Sequence, residues 1–165
     1  MEQSRFNSGK MSHIFQIEDN TYLPEFTNDK AHEALVNGRF FYKIDGQNGA
    51  IIKEDNDELV LVTRYDDKNG KLNPRDLPIG FLPLPNGSGR NPTSYIGHSY
   101  YYSVWDRPSL EEHGKLAKQL RKLYNIVDKI DKNTLNYGVN TVEYIGEKFQ
   151  LTPGIKDIGI AIHRE

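Results

Sequence analysis

The chain has 165 residues, enough for one domain or for a domain core with an extension. It is 36% hydrophobic and 27% charged, a globular rather than a disordered composition, and it contains no cysteine, which excludes disulfides, zinc–thiolate sites and cysteine nucleophiles. Lys and Arg number 21 against 23 Asp and Glu, so the formal charge is −2, which argues against a generic polycation that coats nucleic acid and leaves room for a local basic groove.

Residues 1–12 are polar and are expected to be flexible. MEQSRFNSGK lacks the apolar core of a signal peptide, and no apolar run approaches the length of a bilayer span. A soluble cytoplasmic protein without a membrane partner is therefore expected. HIFQI (13–17) reads as a short strand. Asn28 is placed to cap a helix over DKAHEALVN that stops at Gly38. RFFYKID (39–45) is aromatic and reads as a strand, GQNG (46–49) as a turn, AIIKE as a second strand, and ELVLVTRY (58–65) as a third after EDND. Together these predict an antiparallel meander.

Residues 66–94 are rich in proline and glycine and read as a long irregular loop that lines or covers a site. YIGHSYYYSVWD (95–106) returns to strand-like residues. Ser109 opens the clearest helix. Its SLEE is a capping box in which Glu112 would reach the Ser109 amide, and Leu116, Leu120, Leu123, Val127 and Ile130 form one apolar face. NYGVNTVEYIGEKFQ (136–150) and DIGIAIH (157–163) supply two more strands. The predicted class is α+β, antiparallel sheets with one long packing helix, in a single domain over 13–165.

In a strand, residues two apart share a face, so Lys43, Asp45 and Phe41 are expected to point one way and Tyr42 and Ile44 the other. Gly46 would allow a sharp turn and close approach of a ligand to the backbone. An amine becomes nucleophilic when desolvation or neighbouring cations favour its neutral form. The plainer alternatives stand beside this. Lys43 also fits a solvated strand face, Asp45 a turn opening, Arg64 a surface pair with Asp66 or Asp67, and Glu143 an exposed strand position.

Lys43-Ile44-Asp45-Gly46 resembles the K-x-D-G acceptor motif of the covalent nucleotidyltransferases, the polynucleotide ligases and mRNA capping enzymes. VLVTRYDD places Arg64 where that superfamily carries an arginine, and TVEYIGEKF offers Glu143 and Gly146 in the order of its ribose-binding strand. The whole looks most like an RNA ligase group over residues 38–165. The resemblance implies an adenylation-domain fold, ATP and Mg²⁺ as cofactors, and RNA ends as partners. Lys43 would attack the α-phosphorus of ATP. Asp45 would order the lysine and the ribose side of the pocket, with Gly46 beside it. Arg64 would contact ribose or phosphate, and Glu143 would hold the ribose hydroxyls. Two family elements are absent. Ile158 stands before Gly159 where a late acid is expected, and no closing strand with paired lysines follows. A domain cut before those strands is the expected reason. The rivals are a GTP-using capping enzyme, a DNA ligase, a degenerate noncatalytic nucleotide- or nucleic-acid-binding module, and an interaction protein without a nucleotide pocket.

Overall fold

The computed structural model describes residues 13–40, 42–84, 99–111, 115–146, 149 and 155–163. Its contacts divide the chain into two compact units, Lys10–Lys43 and Ile44–Glu165.

In the first unit, β1 (Phe15–Glu18) and β2 (Thr21–Phe26) form an antiparallel hairpin. The two residues between them, Asp19 and Asn20, have φ of 47° and 62°. Asp and Asn tolerate this left-handed region because their short polar side chains bond locally, and two such residues match the twist of a tight hairpin. No strand is expected from the sequence at 21–26, and β2 contains Pro24. In a two-stranded sheet each strand has a free edge, where a missing N–H costs no ladder bond. Helix α1 (Asp29–Asn37) follows as expected: Asn28 Oδ1 accepts from the Ala31 amide at 2.9 Å, and the Gly38 amide donates to the Ala34 carbonyl at 2.9 Å.

Residues 39, 40 and 42–45 do not form the strand expected over 39–45. The described part of the segment lies outside regular structure, and Tyr42, Lys43, Ile44 and Asp45 are all exposed, so the predicted alternation of faces is absent. The placement of Phe41 lies outside the described residues.

The second unit is built on one six-stranded antiparallel sheet. Its strands are β3 (Gln47–Lys53), β4 (Leu59–Asp67), β5 (Phe81–Pro83), β6 (Ser99–Trp105), β7 (Gly138–Ile145) and β8 (Gly159–Ile162), in the order β5-β6-β4-β3-β7-β8. β3 therefore has both edges taken, by β4 and β7, with no position left beside it for a further strand. That explains why the aromatic segment 39–45 gains no ladder on β3 despite its composition. The architecture is α+β, with two antiparallel sheets and two α-helices among the described residues.

Helix α2 (Lys115–Val127) covers one face of this sheet, preceded by a 3-10 turn at Pro108–Glu111. The α-helix begins later than Ser109, and the Glu112 half of the capping box lies outside the described residues. Leu120, Leu123 and Val127 are buried at the predicted spacing against Ile51, Leu61, Val142 and Tyr144, and Ile130 packs beyond the helix end. Tyr124 adds a polar tie: its hydroxyl accepts from the Leu61 amide at 3.0 Å and donates to the Trp105 carbonyl. The opposite face carries a smaller cluster of Ala50, Val62 and Tyr102.

GQNG is not a turn. Gln47, Asn48 and Gly49 lie inside β3, and both glycines answer close approach rather than chain reversal. A Cβ on Gly49 would fall 2.3 Å from the Val62 carbonyl oxygen and 2.4 Å from the Tyr144 ring. A Cβ on Gly46 would fall 2.3 Å from the Tyr144 carbonyl oxygen. Gly46 is approached by β7, where a ligand was expected. The Tyr144 ring instead crosses the bare Gly49 backbone, and its hydroxyl lies 2.8 Å from the Ala50 carbonyl and 2.9 Å from that of Val62. One phenolic proton serves two buried acceptors there, a shared hydrogen bond that fastens β7 to β3 and β4.

The far end of the β3–β4 hairpin is tied down by charge. Lys53 is buried, yet its ammonium donates to the Lys132 carbonyl at 2.9 Å, pairs with Asp57 at 3.3 Å and sits 4.2 Å over the Tyr137 ring. Tyr137 donates to Asp57 at 3.0 Å. The Tyr137 hydrogen bond, then the Lys53 ammonium, hold the Asp57 carboxyl below its usual range. A depressed carboxyl contributes stability above its unfolded-state value and loses it as pH falls through the folded one. Asp57→Asn is thus expected to destabilise the protein at pH 7, by an amount that shrinks as the pH falls below the ordinary carboxyl range of about 4, as read by urea unfolding across that range.

Candidate functional site

The site follows from ladder arithmetic at the Asn48 end of β3. Paired residues on neighbouring strands present side chains to one face. Asn48 pairs with Glu143 of β7, and Gly49 pairs with Thr63 of β4, so one step further brings Asn48 level with Arg64. Arg64 in turn pairs with Tyr102 of β6, and Glu143 with Ala161 of β8. Tyr102, Arg64, Asn48 and Glu143 therefore form one polar row across four strands, on the face that α2 does not cover.

Glu143 stands at the β7 end of the row. Its carboxyl is half-buried, and Asn48 Nδ2 donates to its Oε1 at 3.4 Å. Burial raises the Glu143 carboxyl above the ordinary glutamate range, and the nearby charge of Asp45 adds to that. The Asn48 amide, the Arg64 guanidinium and the Gly46 N–H act in the opposite direction, each favouring the carboxylate. Asp45, Gly46, Asn48 and Arg64 thus all bear on one carboxyl group.

Arg64 is exposed, with its guanidinium 4.7 Å over the Tyr100 ring. Its backbone carbonyl accepts from Gln47 Nε2 at 3.3 Å, which keeps the end of β4 beside β3. An exposed guanidinium stacked on a ring can present its remaining donors to a planar or anionic ligand. Tyr102 lies buried next to it. Burial pushes its phenol up to about 12, although the Arg64 charge opposes this, so the group stays protonated at neutral pH.

Of the residues singled out from the sequence, Asp45, Gly46, Arg64 and Glu143 come together in the second unit. Lys43 is the last residue of the first unit, exposed and outside regular structure. Three contributors were missed. Asn48 was read as a turn residue, so its alignment with Glu143 was hidden; extending β3 by two residues would have exposed it. Thr141 lies two residues before Glu143 on the same face, and His163 follows β8, with Nδ1 3.1 Å from Thr141 Oγ1. Burial holds the His163 imidazole below its ordinary range, so it is neutral at physiological pH.

Comparison with protein-family models, with curated proteins and with solved structures finds no match to this chain. Among the described residues no helix is long and apolar enough to cross a membrane. Nor does any group of three or more His, Asp or Glu among them offer a metal cage.

Because burial disfavours its charge, an ionised Glu143 costs folding stability. The penalty appears as pH rises through the unfolded-state value near 4.3 toward the higher folded one, and is complete above both. Glu143→Gln is expected to raise the melting temperature at pH 7, with the gain gone below about pH 4. Thermal denaturation at the two pH values checks this.

Proposed function

We propose that the protein is an ATP-dependent, RNA ligase-like nucleotidyltransferase that forms a lysine–AMP intermediate at Lys43. The observation that carries this reading is the convergence of Asp45, Gly46, Asn48 and Arg64 on the half-buried Glu143. Four of those five residues, Asp45, Gly46, Arg64 and Glu143, were named for the nucleotide pocket from the sequence, before any geometry. An antiparallel sheet with a helix on one face and a polar row on the other is also compatible with an adenylation domain.

The roles follow from chemistry. A carboxylate that accepts from Asn48 still has lone pairs for ribose hydroxyls. The Arg64 fork can grip ribose or phosphate through several donors. Lys43 is assigned by its place in K-x-D-G: its amine nitrogen bonds to the α-phosphorus, the bond to the pyrophosphate oxygen breaks, and the amine proton leaves to solvent. AMP then passes to an RNA 5′-phosphate, and a 3′-hydroxyl displaces it as the strand is sealed. The described residues hold no Mg²⁺ cage, so the metal enters this reading only as the companion of the ATP phosphates, and no step is assigned to it.

One specific observation favours a second reading. Ile158, where the ligases have a late acid, packs against the apolar core. A noncatalytic nucleotide-binding module would have that character. Incubation with ATP labelled at the α- or γ-phosphate separates the two. The ligase reading predicts protein label from the α-labelled nucleotide only, stable to alkali and released by acid as a phosphoramidate is, and reduced at least about tenfold in Arg64→Ala. The module reading predicts thermal stabilisation by ATP without label.

A further inference from the structure

The six-stranded sheet ends in two unlike edges. On one side β5 is short, Phe81–Pro83, and its proline has no N–H to offer a neighbouring strand. On the other side lies β8, and among the described residues no strand stands beyond it. Gly159–Ile162 carries no proline and no charge, and its pairing with β7 runs in unbroken register. The common devices that blunt a sheet edge are thus missing from β8.

The edge is also built to pair. The His163 amide donates to the Thr141 carbonyl of β7 at 3.0 Å. Backbone groups alternate in direction along a strand, so Ile160 and Ile162 turn their N–H and C=O groups away from β7. The side chains of Ile158, Ile160 and Ile162 pack against the apolar core that α2 covers, and all three stay only partly buried. The core therefore reaches this edge and is still open there.

The symmetry of the strand itself indicates the occupant. Ile158-Gly159-Ile160-Ala161-Ile162 alternates large and small residues identically in both directions. An antiparallel copy centred on Ile160 sets Ile160 against its own equivalent, Ile158 against Ile162, and Gly159 against Ala161. Large side chains then meet on the α2 face and small ones on the other. One step further, the same register sets the exposed Asp157 opposite His163, an acid facing an imidazole at each end. The alternative register centred on Ala161 sets Gly159 opposite His163, and the acid loses its imidazole.

We propose that β8 is a homodimer interface, in which two copies of this chain pair antiparallel across a dyad at Ile160 and join their sheets edge to edge. The contact is isologous, so each copy uses the same strand and assembly stops at the dimer. A single strand pair is a small interface, which places the dissociation constant in the micromolar range. The inference is independent of nucleotidyl transfer, because neither the strand nor the test involves ATP.

Sedimentation velocity of the full chain from about 1 to about 500 µM tests it, with monomer expected at the low end and dimer at the high end. Ile160→Pro removes a donor that points away from β7, so it should keep the parent's circular dichroism and weaken dimerisation at least about tenfold. Cysteine substitution reads the register independently, in a chain that has no cysteine of its own. Ile160→Cys sets two thiols across the dyad with Cα atoms about 5.5 Å apart, within disulfide reach, and should cross-link on mild oxidation. In Ala161→Cys the equivalent positions lie on a diagonal, beyond ordinary disulfide reach, and cross-linking should be at least about tenfold slower. A chain that stays monomeric at about 500 µM overturns the proposal. So does a folded Ile160→Pro that dimerises like the parent, or Ala161→Cys cross-linking as fast as Ile160→Cys.

Discussion

Lys43→Ala is expected to abolish covalent labelling by α-labelled ATP, a loss of about 10³-fold or more, because no other group can replace the attacking amine. Lys43→Arg should do the same: a guanidinium keeps the charge and remains protonated, so it has no lone pair to offer. The melting temperature of either variant should stay within about 1 °C of the parent, since exposed positions contribute little to packing. This combination separates a nucleophile from a structural lysine. Lys53 provides the contrast. It is buried under Tyr137 and paired with Asp57, so Lys53→Ala should destabilise the fold and lower labelling only in proportion to folded protein. Retained labelling in Lys43→Ala would remove the residue from the chemistry altogether.

The second large effect concerns Gly49. An alanine there must fit a Cβ against the Val62 carbonyl and the Tyr144 ring at once, both closer than any ordinary contact. The carbonyl belongs to the sheet backbone, and the ring is fully buried and fastened by its hydroxyl. Neither can yield cheaply, so Gly49→Ala should cost about 3 kcal/mol or more. For a chain of this size that is roughly 6–12 °C in melting temperature. Tyr144→Leu placed in the Gly49→Ala background should recover only the ring's share of the loss, because the backbone clash persists. Urea unfolding of the two single variants and the double variant measures this. A Gly49→Ala protein within 0.5 kcal/mol of the parent would mean that the close approach of β7, β3 and β4 is wrong.

Much of the fold could be read from local rules. Asn28 and Gly38 delimit α1 because capping is a property of a few adjacent residues. The 3-4 spacing of Leu120, Leu123 and Val127 found the buried face of α2 because a helix needs no distant partner to define its period. The alternating apolar residues of β4, β7 and β8 were equally legible. What failed was what depends on neighbours. Residues 39–45 have strand composition, but a strand exists only where an edge is free, and sequence does not reveal that β4 and β7 flank β3. GQNG has turn composition, but its glycines are needed because Tyr144, far along the chain, crosses them.

The site divides along the same line. Arg64 and Glu143 were singled out from strand ends that resemble a known pattern. Asn48 was lost because one misplaced turn removed it from the ladder that sets it opposite Glu143. The raised Glu143 carboxyl could not have been foreseen, since it arises from burial and from charges brought together by three strands.

Mass spectrometry of the chain after incubation with ATP tests the central proposal most directly. A single adduct of one AMP on the tryptic peptide containing Lys43, absent when Glu143 or Arg64 is replaced by alanine, is the expected result. An unmodified chain under the same conditions, or AMP attached at another lysine, would contradict it.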